Sequence, residues 1–219
     1  MMNTRVNGIG MTSPRTRARM IDRLREQGIR NETVLAAMFE VPRHLFVDEA
    51  LASRAYDDVS LPINFNQTIS RPYIVARMAE VLCAGGPLGR VLEVGTGCGY
   101  QAAILAQLAK EVYTVERIRP LYERARKLLG ELKMRNVSVR YADGSAGLPE
   151  FAPFDGIVMS AASATLQDTL REQLAVGGRM ALPVGTHEQR LYLVERDTRG
   201  FHETRLEPVK FVPLLTGKA

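Results

Sequence analysis

Seven consecutive residues, Glu93-Val94-Gly95-Thr96-Gly97-Cys98-Gly99, place three glycines at alternate positions behind a short apolar strand and ahead of a helix. Glycine reaches backbone angles closed to other residues and lets a ligand approach the main chain closely. A lone Gly-x-Gly carries little weight; the strand–loop–helix setting is what makes this one a candidate nucleoside site. About twenty residues on, Glu116 closes the next strand, VYTVE, where a carboxylate can accept hydrogen bonds from both hydroxyls of a ribose. After a third strand, Asp143-Gly144 offers a second carboxylate to an adenine amino group, although such a dipeptide also serves as a plain turn.

These features fit NAD as well as S-adenosylmethionine (AdoMet), and three details turn the reading toward AdoMet. The glycine spacing is Gly-x-Gly-x-Gly rather than Gly-x-Gly-x-x-Gly. Glu93 sits two positions before the first glycine, where methyltransferases often carry an acid. Asp143-Gly144 matches an adenine contact common in the same enzymes. The expected cofactor-binding residues are therefore Glu93, Gly95, Thr96, Gly97, Cys98, Gly99, Glu116, Asp143 and Gly144. Hydride transfer would call for a Tyr-Lys or His pair near the loop, yet His44, His187 and His202 lie apart in sequence. They form no metal-ligand spacing either, so each is expected to pack or face solvent, and no metal is expected.

The elements that must position these residues follow from the pattern of the chain. VLEV, VYTVE, VSVRYAD and FDGIVMSAA read as strands, with YQAAILAQLA and RIRPLYERARKLLGELK as helices between them and TLQDTLREQLAVGG as a further helix. RMALPVG, RLYLVERD and KFVPL read as the last strands, with few helical signals between them, so an antiparallel edge is expected there. Alternating strands and helices with short connections require a mostly parallel, doubly wound, Rossmann-like α/β sheet with helices on both faces. Ahead of it lies an N-terminal helical extension. Met20, Ile21 and Leu24 recur at helical spacing before Gly28, Asn31 is a good N-cap for ETVLAAMFE, and Thr68–Leu82 reads as a helix with Pro72 near its first turn. Residues 44–66 read as irregular with short strands. Residues 1–13 are expected to be a disordered leader, and 14–219 a single domain with 14–88 packed on it as a substrate-side segment.

Composition narrows the class. The 219 residues, 46% hydrophobic and 24% charged, suit one large α/β domain. No apolar run approaches the roughly 18 residues that cross a bilayer, and the basic N-terminus lacks the apolar block of a secretory signal. Two cysteines, Cys83 and Cys98, fit free thiols in a reducing cytoplasm. The net charge is +5, but the basic residues are scattered apart from Arg15–Arg25, and no aromatics interleave with them. Neither a nucleic-acid nor a membrane partner is expected.

The upstream segment identifies the class of enzyme more closely. Gln67-Thr68-Ile69-Ser70-Arg71-Pro72-Tyr73-Ile74-Val75-Ala76-Arg77-Met78 resembles the QTIS-x-P-x-x-VA-x-M signature of protein-L-isoaspartate O-methyltransferases. Val41–Val47, Ala55–Ile63, Val112–Ile118, Ala152–Val158, Gln173–Gly185 and Lys210–Leu215 resemble further stretches of that family, about four-fifths of the chain in all. The resemblance implies transfer of the AdoMet methyl to the free carboxylate of L-isoaspartyl residues in aged proteins and peptides, by an enzyme expected to be monomeric. The ester then cyclises to a succinimide, whose hydrolysis returns some aspartate. Ser70 stands at the family's active-site position, and Gln67, Thr68 and Ile69, with Val212, Pro213 and Leu214 of the closing segment, are implied to hold the substrate. Asn64 and Asn66 replace glycines frequent in the family, Cys98 a common serine, Leu148 a frequent tryptophan and Ala142 a common glycine. The thiol at Cys98 is a weaker hydrogen-bond partner for the cofactor's amino-acid end.

The residues also weigh against other readings. An acceptor carboxylate, with a pKa of about 4, is already ionised, so no strong base is needed and catalysis rests on holding nucleophile and methyl in line. Ser70 can donate a hydrogen bond to that carboxylate; it also suits capping of the helix near Pro72. Adenine-N6 methylation would call for an Asn/Asp-Pro-Pro-aromatic motif after the fourth strand, which here reads Met159-Ser160-Ala161-Ala162. Other small-molecule methyltransferases and an NAD-binding Rossmann protein remain as alternatives, separable by whether S-adenosylhomocysteine or NAD stabilises the protein.

Overall fold

In the computed structural model, which describes residues 6–219, Pro14 opens helix α1 (Pro14–Glu26) at a position where its missing N–H has no partner to lose. Met20, Ile21 and Leu24 form the buried face of α1. It stops at Gly28, whose φ of +102° lets the Ile29 N–H return to the Leu24 carbonyl. Helix α2 (Glu32–Glu40) is capped by Asn31, whose side chain accepts from the Thr33 and Val34 N–H groups. Of the leader expected at 1–13, residues 1–5 lie outside the described residues. Residues 10–12 form a 3₁₀ turn, and the buried Arg17 guanidinium donates to the Val6 and Asn7 carbonyls.

Two more 3₁₀ turns, Arg43–Phe46 and Glu49–Arg54, lead to a two-stranded antiparallel ribbon, β1 (Leu61–Pro62) and β2 (Thr68–Ile69). Helix α3 (Pro72–Cys83) begins four residues later than the sequence pattern placed it, because Thr68 and Ile69 pair with Pro62 and Leu61. The main sheet then builds in alternation: β3 (Leu88–Val94), α4 (Tyr100–Leu108), β4 (Ala109–Glu116), α5 (Arg119–Glu131), β5 (Val137–Tyr141), β6 (Phe154–Met159), α6 (Asp168–Arg171), β7 (Leu174–Val184), β8 (Gln189–Asp197) and β9 (Gly200–Val209). Spatial order is β5-β4-β3-β6-β7-β8-β9. The first five of these strands are parallel, and β7-β8-β9 close the sheet as an antiparallel edge.

Side chains alternate across this sheet. Val91 points into the cluster shared with Met78 and Leu82 of α3, while Leu92 and Val94 point into the opposite cluster with Phe154, Ile157 and Met180. The α4 and α5 helices cover the first side together with the N-terminal extension. Among the described residues, the second side carries α6 and the 3₁₀ turns Gly144–Ala146 and Pro149–Phe151, with Leu166 and Leu214 packed beside them. The long helix expected over TLQDTLREQLAVGG is reduced to the four residues of α6. Leu174 already pairs with Phe154, and Gly177, at φ +85°, sits in a bulge that lets β7 regain register opposite Gly156. KFVPL is not a regular strand; the edge position it was expected to fill belongs to β9, whose polar, exposed sequence shows no alternation. The 210–215 segment instead crosses the carboxyl ends of the strands. There the Ala162 N–H donates to Val212 O, and the Leu214 N–H to Ala162 O, each at 2.7 Å.

Candidate functional site

Chain order reverses between β3 and its two neighbours, β4 on one side and β6 on the other, so a crevice opens above their carboxyl ends. The glycine loop fills its floor. Gly95 and Thr96 N–H groups donate to Val115 O at 2.9 and 3.1 Å, which pins the loop to β4. Gly97 has φ +54°, and a Cβ there would stand 3.3 Å from Ile63, on the facing wall. The resulting cleft measures about 860 Å³ including its solvent-open part. Glu93, Gly95, Gly97, Glu116 and Gly144 line one side, Gln67, Thr68, Ile69 and Ser70 another, and Val212–Leu215 a third. The structure therefore gathers residues separated by up to about 150 positions in sequence.

Glu116 ends β4 with both oxygens in use. Oε2 accepts from the Gly97 N–H at 2.8 Å and Oε1 from the Ile118 N–H at 2.9 Å. Burial raises its pKa, against the pull of those two N–H groups. Each oxygen keeps a lone pair for a further donor. Glu93 lies deeper and is fully buried. It pairs in register with Thr114, whose hydroxyl donates to Oε2 at 2.5 Å and is itself 2.6 Å from the Thr96 hydroxyl. Oε1 of Glu93 has no partner. Burial pushes the carboxyl up to about 8; the Thr114 hydroxyl pulls it down, and the nearby Glu116 adds to the rise.

Both oxygens of Asp143 are engaged within the protein. Its Oδ1 accepts from Ser145 N and Oγ at 2.9 and 2.7 Å, capping the short turn that follows. Its Oδ2 accepts from the Gly217 N–H at 2.6 Å. The Gly217 and Ser145 donors hold the carboxyl below the usual carboxylate range. Gly144 lines the cleft, whereas Asp143 stands at its edge under the segment 216–219. That segment is tied on by Arg117 Nε to Gly217 O (2.7 Å), Ala219 N to Arg117 O (2.7 Å) and the Tyr141 hydroxyl to Ala219 O (3.1 Å). Cys98 is buried in the wall of the cleft, and burial pushes its thiol up to about 11, so it behaves as a packing group.

Ser70 lies at the mouth of α3 but does not cap it. The N-cap is Arg71, without a side-chain bond to the helix. The Ser70 hydroxyl makes no hydrogen bond among the described residues and borders the cleft. The loop before it, Asn64-Phe65-Asn66, holds three successive residues at φ +75°, +53° and +56°. These are left-handed angles that asparagine tolerates and phenylalanine does not favour. The expected histidines keep away: His44 bonds the Tyr56 hydroxyl at 2.8 Å, His202 bonds Asp197, and none of the three borders the cleft. Among the described residues no cluster of His, Cys, Asp or Glu could hold a metal.

Several groups at this site, Tyr100 and Ser160 of its lining among them, were not expected from the sequence, and two that stand behind the lining are instructive. Thr114 had a signal, since a hydroxyl in VYTVE falls on the same face as Val112 and Glu116 of a buried strand. Arg43 had none: an arginine in VPRHLF reads as a surface residue, yet its side chain is fully buried beneath Ser70.

Comparison with known proteins agrees with this geometry. The family model described as protein-L-isoaspartate(D-aspartate) O-methyltransferase matches residues 15–219. The chain is 61% identical over 221 residues to the protein-L-isoaspartate O-methyltransferase of Methylobacillus flagellatus, covering 99% of each. To that of Nitrosomonas eutropha it is 59% identical over 218 residues, 99% of this chain and 98% of the other. A solved protein-L-isoaspartate O-methyltransferase superposes with a TM-score of 0.81 at 26% identity, over 90% of this chain and 65% of that one. A Plasmodium falciparum structure described as a β-aspartate methyltransferase, in complex with S-adenosyl-L-homocysteine, gives 0.76 at 26% identity, over 90% and 96%.

Proposed function

The chain belongs to the protein-L-isoaspartate(D-aspartate) O-methyltransferase family, and from that premise we propose how its residues divide the work of methylating an isoaspartyl carboxylate. The enzyme transfers the methyl of AdoMet to the free carboxylate of L-isoaspartyl residues in proteins, and the ester re-forms a succinimide on the way back to aspartate.

The cleft fits that cofactor on its own terms. The glycine loop leaves a cradle that a Cβ at Gly97 would crowd, and two buried acids face it. One of their oxygens, Glu93 Oε1, lacks a donor that a cationic ligand would supply. Gly95, Thr96, Gly97, Cys98 and Gly99 would cradle the amino-acid end, Glu116 would take the ribose hydroxyls on its spare lone pairs, and Gly144 would floor the adenine end with Asp143 beside it. Bound there, AdoMet supplies an electrophilic methyl on a positively charged sulfur.

On the facing wall, Gln67, Thr68 and Ile69 would align the substrate backbone with Val212, Pro213 and Leu214, whose own segment is fixed through Ala162. The Ser70 hydroxyl donates a hydrogen bond to the acceptor carboxylate and fixes which oxygen faces the methyl. No base is assigned, because the acceptor is already an anion. The single observation that carries this reading is the Ser70 hydroxyl: it caps nothing, bonds nothing, and borders the cleft that Glu93 and Glu116 share. Two free thiols and scattered basic residues further suit a monomer working in the cytoplasm on protein substrates, apart from nucleic acid and membranes.

The test is transfer of labelled methyl to an isoaspartyl peptide and to its aspartyl twin, with the wild type and Ser70→Ala. The wild type labels only the isoaspartyl peptide, and Ser70→Ala loses most turnover while binding S-adenosylhomocysteine as before. Wild-type turnover in Ser70→Ala would remove the serine from the mechanism.

A further inference from the structure

Arg43 is the largest side chain that the fold buries completely. Its Nε donates to Ala55 O and its Nη2 to Ser70 O, both at 2.7 Å. Its guanidinium lies 4.7 Å from the centre of the Tyr100 ring, which borders the cleft from the first turn of α4, directly after the glycine loop. Nη1 is buried without a partner. Among the described residues no carboxylate pairs with this charge; tyrosines and the Cys98 thiol are what surround it. A buried cation without a counter-ion is costly, and a side chain kept only to fill space would be better apolar.

We infer that Arg43 is a positioning residue for methyl transfer: it grips the Ser70 carbonyl on one side and the Tyr100 ring on the other, and so sets where the Ser70 hydroxyl stands relative to the glycine loop. The inference rests on the reading of Ser70 given above. Its logic comes from the reaction. A carboxylate that needs no base is methylated at a rate governed by alignment, and a misplacement of about 1 Å costs up to about 100-fold. The acceptor side of the cleft hangs on the ribbon and the turn before α3; the donor side hangs on β3 and α4. Arg43 reaches from one to the other through polar contacts, to the Ser70 carbonyl and to the Tyr100 ring. The planar guanidinium can hold two carbonyls and a ring at once, which a lysine ammonium on a flexible stem cannot.

The experiment is a double-mutant cycle on the full chain: Arg43→Lys and Arg43→Gln, each in the wild-type and the Ser70→Ala backgrounds. Single-turnover methylation of an isoaspartyl peptide is read beside the dissociation constant for S-adenosylhomocysteine and the melting transition. Expected is a loss of about tenfold or more for Arg43→Gln with Ser70 present, an intermediate loss for Arg43→Lys, and less than about twofold further loss once Ser70 is alanine, with cofactor affinity unchanged. Equal losses in both backgrounds, or none in either, would overturn the inference, as would two variants that neither melt cooperatively nor bind S-adenosylhomocysteine, since Arg43 would then serve the fold alone. Full turnover in Ser70→Ala by itself would instead locate the failure in the reading of Ser70.

Discussion

Glu93→Gln tests the electrostatics of the cleft floor most directly, because the substitution keeps shape and removes one titration. In the folded protein the Glu93 carboxyl is pushed up to about 8, from an ordinary value of 4.5. The folded state therefore keeps a proton that the unfolded chain has already released at neutral pH. Stability contributed by this site is fully present below about pH 4.5, falls as the pH rises toward 8, and levels off above that. The difference, 8 minus 4.5, is 3.5 pH units; at about 1.4 kcal/mol per unit the total is on the order of 5 kcal/mol. Glutamine cannot ionise. Its amide meets the same unpartnered pocket as Oε1, a cost of about 1–3 kcal/mol that does not vary with pH. The decisive quantity is thus the change with pH of the stability difference between variant and wild type. The assay is urea unfolding of the cofactor-free protein at pH 5.5, 7 and 8.5. The difference should move in favour of glutamine by several kcal/mol across that range, and parallel pH profiles would refute a buried, proton-holding Glu93.

Two further predictions concern the same cleft. Glu116→Ala removes the acceptor that the Gly97 and Ile118 N–H groups share, so AdoMet affinity should fall by about 1–3 kcal/mol and the melting temperature should drop in parallel. Unchanged affinity in a binding titration would move the ribose contact elsewhere. The Cys98 thiol, buried and pushed up to about 11, should exist as thiolate at only about one part in ten thousand at pH 7. Iodoacetamide should leave it unlabelled in the native enzyme and label it after unfolding. Rapid native labelling, located by mass spectrometry, would show that the glycine loop opens.

The parallel half of the sheet was legible because each strand is a short apolar run closed by a charged or glycine residue, and each helix repeats its apolar face at the right period. Glu93, the glycines and Glu116 are all consequences of that half, so their juxtaposition could be read from spacing alone. The antiparallel half was less legible. Gly177 and Gly178 resemble a helix stop, whereas they form the bulge that admits Leu174 to β7, and β9 lies at an open edge where burial imposes no alternation. Ser70 was recognisable from its motif, but its freedom from the capping role depends on Arg71 occupying the N-cap. Asp143 shows the opposite limit. Its hydrogen bonds go to Ser145 and to Gly217, which lies 74 residues away, and no local pattern announces such a partner.

The charges of the cleft follow the charges of the reaction. Two acids that burial pushes upward, Glu93 and Glu116, line the cleft on the side of the glycine loop, and the uncompensated Arg43 lies behind Ser70 on the other. Methyl transfer between a cation and an anion destroys both charges, so the transition state is less polar than the reactants. A site that held either charge by a direct, fully ionised pair would stabilise the reactants more than the transition state and slow the step. Arg43 would avoid this by meeting the Ser70 carbonyl rather than the cleft, which on the proposed role of Ser70 leaves a neutral hydroxyl for the acceptor. Burial pushes the Glu93 carboxyl up to about 8, so in the cofactor-free protein this acid holds its proton more readily than an exposed carboxylate. Glu116, with both oxygens accepting from backbone N–H groups, is the acid proposed above for the ribose, away from the methyl.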